Sequence, residues 1–318
     1  MAAGPTLGID VGGTKLLAVC LDAGGSPLGE WTVASPPDGD GLVQAIADAA
    51  GELCAGRPAA VGVGVPGLVD ESGVVRFAPN LLGIGGTPLR DALTRRFPAS
   101  ALWVGNDATA ACWAEHAVGA AEGASDVLMV TLGTGIGGGM VSSGRLLGGA
   151  HGYAGEFGHM VVDPQGPECP CGRRGCWERF ASGEALGAAG REAANEGRAC
   201  RVLELAAGDP DAVRGEHVTA AALEGDEEAA VIMDRFGWWV AMGLGSLANI
   251  LDPEAIVIGG GLAGAGESLM GPVGRWFAGM VEAPEARDRT RLVLASLGPR
   301  AGAIGAGLLA RPGTTRGG

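Results

Sequence analysis

Lysine is almost missing from this chain: of its 22 basic residues, one, Lys15, is a lysine and the rest are arginines. Acidic residues outnumber the basic ones, 36 to 22, giving a net charge of −14 and an isoelectric point near 4.7. So acidic a body repels phosphate backbones and anionic lipid, which argues against nucleic acid and membrane surfaces as partners. A small anionic ligand would need a local device, such as converging backbone N–H groups or a metal. The N-terminal Met-Ala-Ala-Gly-Pro-Thr lacks the basic and apolar regions of a secretory leader. No apolar run approaches the roughly 20 residues of a membrane span. The stretch nearest to one, residues 236–251, is broken by Gly237, Gly243 and Gly245 and reads as a buried core helix. Cysteines number seven, an odd count, with three packed between 169 and 176. That is unlike a secreted disulfide framework and predicts a reduced, cytoplasmic chain.

What the chain does have is length, apolar content and glycine. Its 318 residues are 47% hydrophobic and 18% charged, enough for a large core. Glycine accounts for 60 positions without a collagen-like period, which points to many tight turns and close backbone approaches. The pattern over residues 6–34 is strand, glycine turn, strand, strand. Helices are expected over 42–54, around Leu89, Leu93 and Phe97, and from Asn106-Asp107 to about 118. At Asp126 the opening pattern restarts, with strands over 127–132 and 136–142 about a Gly133-Thr134-Gly135 turn. Strands follow over 255–258 and 291–295, and helices over 227–251, 267–281 and 301–310, with a disordered tail from 311. Strands alternating with helices predict an α/β fold with ligands at the strand ends. The repeated hairpin predicts two domains of common design, 1–120 and 121–318.

Four clusters carry candidate chemistry. Gly12-Gly13-Thr14-Lys15 lies between two strands, so it is neither a Walker A loop nor a Rossmann fingerprint. It reads equally as a tight hairpin or as an anion-holding turn with a lysine charge beside it, and Asp10 at the strand end suits Mg²⁺. Gly133 and Thr134 offer matching donors, and Gly260 and Gly261 would let an adenosine lie against backbone. Asn106-Asp107 opens a helix; on residue types alone a helix cap is the stronger reading, with Asp107 as a proton-accepting base the alternative. The fourth cluster is the most specific. His159, Cys169, Cys171 and Cys176 form a closed Cys₃His set, spaced by glycines, that predicts a structural Zn²⁺.

Taken in order, Asp10-Val-Gly-Gly-Thr-Lys15, Gly105-Asn-Asp-Ala108, Leu132-Gly-Thr-Gly135, Ala154-Gly-Glu-Phe-Gly-His159 and Cys169-Pro-Cys-Gly-Arg-Arg-Gly-Cys-Trp-Glu178 resemble the ROK family (repressors, open reading frames, sugar kinases). The likeness is greatest to its bacterial ATP-dependent glucokinases and runs from about residue 6 to 310. It implies an actin-like, hexokinase-like fold of two ribonuclease-H-like domains around a cleft, with a zinc-bound loop. It also implies phosphorylation of glucose at the 6-hydroxyl by ATP and Mg²⁺, as in glycolysis. Asp107 would be the base; Asn80, Asn106, Glu156, His159 and Glu178 would contact the sugar. His159 would give one ring nitrogen to zinc and the other to sugar, and zinc would fix the loop carrying Glu178. A homodimer or homotetramer is implied too. The chain departs from the family after Asn80, reading Leu81-Leu-Gly-Ile-Gly-Gly86 where a tryptophan-containing segment is common, so sugar specificity there is open. A kinase for another hexose or an N-acyl amino sugar is the alternative, and polyphosphate is the alternative donor. A sugar-responsive repressor is a weaker one, because nine residues before Asp10 leave no room for a helix-turn-helix.

Overall fold

Alternating apolar residues and a two-glycine turn fold the N-terminus back on itself. Strands β1 (Thr6–Val11) and β2 (Lys15–Leu21) pair antiparallel, and β3 (Pro27–Ala34) adds to β2. The computed structural model describes residues 4–79, 81–286, 288, 290–314, 316 and 317; the sugar contact expected at Asn80 lies outside them. Helix α1 (Gly39–Cys54) is capped by the Asp38 carboxylate, which accepts from the Gly41 N–H at 2.8 Å. Next come β4 (Ala60–Val65), a short hairpin of β5 (Leu68–Val69) and β6 (Val75–Phe77), α2 (Leu89–Arg96), β7 (Ala101–Asn106) and α3 (Asp107–Val118). The first sheet has the order β3-β2-β1-β4-β7, with β1, β4 and β7 parallel.

The second pass begins with β8 (Val127–Leu132), β9 (Ile136–Ser142) and β10 (Arg145–Leu147). Helices α4 (Glu178–Ala181), α5 (Gly183–Asn195), α6 (Cys200–Leu205), α7 (Gly215–Leu223) and α8 (Glu227–Leu251) follow the irregular segment after residue 148. The chain ends with β11 (Ala255–Gly259), α9 (Glu267–Phe277), β12 (Arg291–Leu294), α10 (Ala301–Ala310) and β13 (Arg316–Gly317). The second sheet runs β12-β11-β8-β9-β10-β13. No helix among the described residues is long and apolar enough to cross a membrane.

Two compact units emerge, and neither is continuous in sequence. Unit 1 comprises residues 1–129, 139–155 and 295–318; unit 2 comprises 130–138 and 156–294. This differs from the division at 120/121 expected from the repeat, because the last segment returns to the first unit. There α10, Ala-Gly-Ala-Ile-Gly-Ala-Gly-Leu-Leu-Ala, is buried on every side and packs against α3, β1 and β4. Such close approach needs glycine on the sheet: a Cβ at Gly8 or Gly62 would run into the Ala303 or Ala306 carbonyl. The described residues of the segment expected to be a disordered tail make defined contacts. Arg311 donates to the Ala23 carbonyl at 3.0 Å and to Thr6 Oγ1 at 3.3 Å, and β13 pairs with β10.

Candidate active site

In unit 1 the parallel strands β1, β4 and β7 end at one edge, in register: Asp10 stands beside Gly64, and Gly64 beside Gly105. Adjacent strands lie about 4.8 Å apart, so the ends of β1 and β7 are roughly 10 Å apart across β4. Gly64 puts no side chain between them. Asp10 and Asp107 thus face a shared space at the carboxyl ends of the strands, where α/β sheets bind ligands.

Both carboxyls are shifted upward. Burial, then the charge of Asp107, pushes Asp10 up to about 7 against the pull of Lys15. Burial also holds Asp107 above the usual carboxylate range, although it accepts the Ala108 N–H at 2.8 Å. A carboxyl pair kept from full ionisation by desolvation and mutual repulsion is a place for a divalent cation, which would relieve both. The donor set therefore suits Mg²⁺. The N-terminal turn of α10 lies alongside, with Gly302 so near Asp10 that a Cβ there would lie 2.8 Å from its carboxyl.

Asn106 is the helix cap that residue types suggested. Its Oδ1 accepts the Thr109 N–H at 2.9 Å, and its Nδ2 donates to the Gly67 carbonyl at 3.2 Å. One amide N–H is left for a substrate. The first glycine turn is closed by Gly12 N–H donating to Lys15 O at 2.9 Å and held by Ser35, whose N–H donates to Thr14 O at 3.1 Å. Gly13, Thr14 and Lys15 are exposed at its tip.

Unit 2 holds a cavity of about 550 Å³. Gly133, Thr134 and Gly261 are among its lining residues; Gly260 is not, and at φ 82° it lies exposed, where a Cβ would meet the backbone of Leu132. The Gly183 N–H donates to Gly133 O at 2.7 Å, so α5, capped by Ser182, begins at the second glycine turn. Of the first N–H groups of α5, those of Gly183, Ala185 and Leu186 are taken by Gly133 O, Ser182 Oγ and Ser182 O, so the phosphate donors here would be the Glu184 N–H and the Thr134 hydroxyl beside the glycine turn. The opposite walls come from α5 and α7, through Glu184, Arg191, Arg214 and Thr219. Sequence reasoning missed them. The available signal was glycine spacing: Gly183 and Gly187 share one helix face, and Gly187 lies so near α7 that its Cβ would be 3.1 Å from Gly215 N.

The Cys₃His group that could hold a metal also lies in unit 2. The donor atoms of His159, Cys169, Cys171 and Cys176 all fall within 4.8 Å of one another. Cys171 and Cys176 sulfurs are 3.5 Å apart, and Cys169 Sγ is 3.8 Å from His159 Nδ1. A tetrahedral Zn²⁺ with bonds of about 2.3 Å has ligand–ligand edges near 3.8 Å, so the set fits. Gly175, at φ 67°, makes the turn that returns Cys176 beneath the loop; a side chain there would strike the Asp163 carbonyl. His159 turns Nδ1 to the sulfurs, while its Nε2 lies 4.0 Å from Glu156 Oε2. Glu178 abuts the same group, with Oε1 3.1 Å from Cys169 Sγ and 3.5 Å from His159 Nδ1. Glu156, His159 and Glu178 are thereby gathered around the Cys₃His loop.

These features, carboxylates at strand ends, two glycine turns and a nucleotide-sized cavity, define a sugar-kinase type of α/β protein. The chain belongs to the ROK family, whose model matches residues 6–312. It is 37% identical over 312 residues to a glucokinase of Streptomyces coelicolor, covering 97% of this chain and 98% of that one. It is 34% identical over 313 residues to an N-acetylmannosamine kinase of Shigella boydii, covering 96% and 98%. Among solved structures, a ROK glucokinase of Streptomyces griseus in complex with glucose and AMPPNP is 39% identical. It superposes with a TM-score of 0.85, covering 98% of this chain and 100% of that one.

Proposed function

We propose that this chain is a glucokinase that transfers the γ-phosphoryl group of ATP to the 6-hydroxyl of glucose. The observation that carries the reading is its end-to-end match to a kinase solved with glucose and an ATP analogue. Asp107 takes the proton of the 6-hydroxyl as that oxygen bonds to the γ-phosphorus. The bond from phosphorus to the β–γ bridging oxygen breaks, and ADP leaves with the electron pair. The transition state is loose, so placing Asp107 matters more than its basicity. Lys15, Thr14 and Thr134 neutralise phosphate oxygens, and Mg²⁺ held at Asp10 would screen the charge that develops on the leaving group.

His159 Nε2, Glu156 and Glu178 bind sugar hydroxyls, joined by Asn106 and, from the sequence resemblance, Asn80. A Zn²⁺ on His159, Cys169, Cys171 and Cys176 would act by holding that loop, because no ligand position is left for water. ATP rather than polyphosphate is the donor, a cavity bounded by helix walls being suited to a nucleoside. The protein works in the cytoplasm as a homodimer or homotetramer in glucose catabolism, without nucleic acid or membrane partners. A second reading, an N-acyl amino sugar kinase, is favoured by the 34% identity to the Shigella boydii enzyme. Coupled ADP release across glucose, mannose, fructose, N-acetylglucosamine and N-acetylmannosamine separates the two. Glucose is expected to give the highest kcat/KM, and a higher value for N-acetylmannosamine would transfer the assignment to the second reading.

A further inference from the structure

Unit 2 carries a second cavity, of about 310 Å³, that no step of the proposed reaction uses. Its floor is apolar, formed by Ile232 and Phe236 of α8, both buried. One wall is aromatic: Phe180 of α4 stacks on Trp239 of α8 with centroids 4.1 Å apart. The rim is cationic, with Arg179, Arg198 and Arg235 against Glu192 and Glu228. Arg198 is occupied, paired with Glu196 and Glu228. Arg235 has no acidic partner among the described residues. Arg179 has one long contact, Nη1 to Glu184 at 3.5 Å, and its Nε is buried with no acceptor. Two guanidinium groups thus stand over an aromatic wall, and an anion there would supply the acceptor that the buried Arg179 Nε lacks.

We infer that this cavity binds a small organic anion, its carboxylate or phosphate group between Arg179 and Arg235 and its flat or apolar body against Phe180 and Trp239. The volume lies at the lower end of the roughly 300–1,000 Å³ of small-molecule sites, which fits a compact metabolite and not a peptide. The site has a mechanical link to the loop described above. Arg179 follows Glu178 in the single turn of α4, and Trp177 before it donates its indole N–H to the Trp239 carbonyl at 2.8 Å. An anion drawing on Arg179 pulls the turn that places Glu178. The binding claim stands apart from the proposed reaction, whereas its effect on sugar affinity rests on Glu178 contacting the sugar.

Calorimetric titration of the full chain with 3-phenylpropionate and with phenyl phosphate tests it, in saturating AMPPNP and glucose so that the other cavities are filled. At least one probe is expected to bind with a millimolar or tighter constant, and the tighter one tells carboxylate from phosphate ester. Arg235→Ala, an exposed substitution away from the reaction machinery, is expected to weaken binding about tenfold, or about 1.4 kcal/mol, with probe-free kcat unchanged. The probe is also expected to shift the KM for glucose in the native chain and not in Arg235→Ala. No binding by either probe, or equal binding by Arg235→Ala, overturns the site. A fall in oligomer mass in Arg235→Ala overturns it as well, since the occupant is then a second copy of the chain. Binding without any KM shift upholds the site and overturns its link to Glu178. A chain that binds the probes yet phosphorylates no sugar separates this inference from the proposed function.

Discussion

The two units reach rigidity by different means. Unit 1 places its reactive groups by packing. Asp10 lies near the end of β1 and Asp107 directly follows β7, both in a sheet rich in buried aliphatics, and α10, mostly alanine and glycine, is pressed against that sheet. Unit 2 places His159 on an irregular stretch and Glu178 at the start of the short α4 that follows it, around a Cys₃His group instead. Packing delivers a carboxylate to a dry, defined point and raises its pKa in doing so. A metal loop delivers polar groups where no core can form, at the cost of dependence on the ion.

The largest expected effect tests the packed side. Asp107→Asn should lower kcat by at least about 10²-fold and toward 10⁴-fold while glucose affinity, read by calorimetry, stays within a few-fold. Turnover near the native rate would remove Asp107 as the base. In the native chain, kcat should fall with acidification through a value above the usual carboxylate range, because Asp107 must be ionised to accept a proton.

On the metal side, purified protein should carry about one zinc per chain. Cys171→Ser, or chelation, should raise the KM for glucose by about 10- to 100-fold, the usual cost of losing a support behind a binding residue. Zinc-free protein with native kinetics would erase the contrast between the units. A smaller effect is expected at the phosphate turn: Lys15→Met should raise the KM for ATP about tenfold, the worth of one charge-assisted contact. An unchanged value would take the chain's one lysine out of phosphate binding.

The smallest effect is on stability. In its ordinary setting an aspartate titrates near 3.8, whereas burial and Asp107 hold Asp10 near 7. The folded state therefore binds that proton more tightly than the unfolded chain, and stability is lost as pH rises between those values. Without divalent cations, Asp10→Asn should raise Tm by a few degrees at pH 8 and by much less near pH 5. Equal gains at both pH values would mean that Asp10 is not held in a desolvated site.

Much of this was legible residue by residue. Alternation and the Gly12-Gly13 turn marked β1 and β2, and the Cys₃His cluster stood out because thiol and imidazole at that spacing serve few other purposes. Asn106 shows the limit. Its helix-cap role was readable from local sequence, but the hydrogen bond its Nδ2 donates to the Gly67 carbonyl depends on a segment 39 positions away. The α5 and α7 walls of the larger cavity were invisible for a similar reason: a helix of small residues looks alike whether it packs in a core or lines a cavity.

By itself the sequence determined the local elements, the Cys₃His donor set and the acidic residues at strand ends, because period, turn chemistry and ligand type act over a few residues. Only the tertiary structure decided that residues 295–318 rejoin the first unit, that Asp10 and Asp107 share one desolvated edge, and that Arg179 and Arg235 frame a second cavity. Those outcomes depend on which distant backbones can approach each other, and on how much water is excluded where they meet.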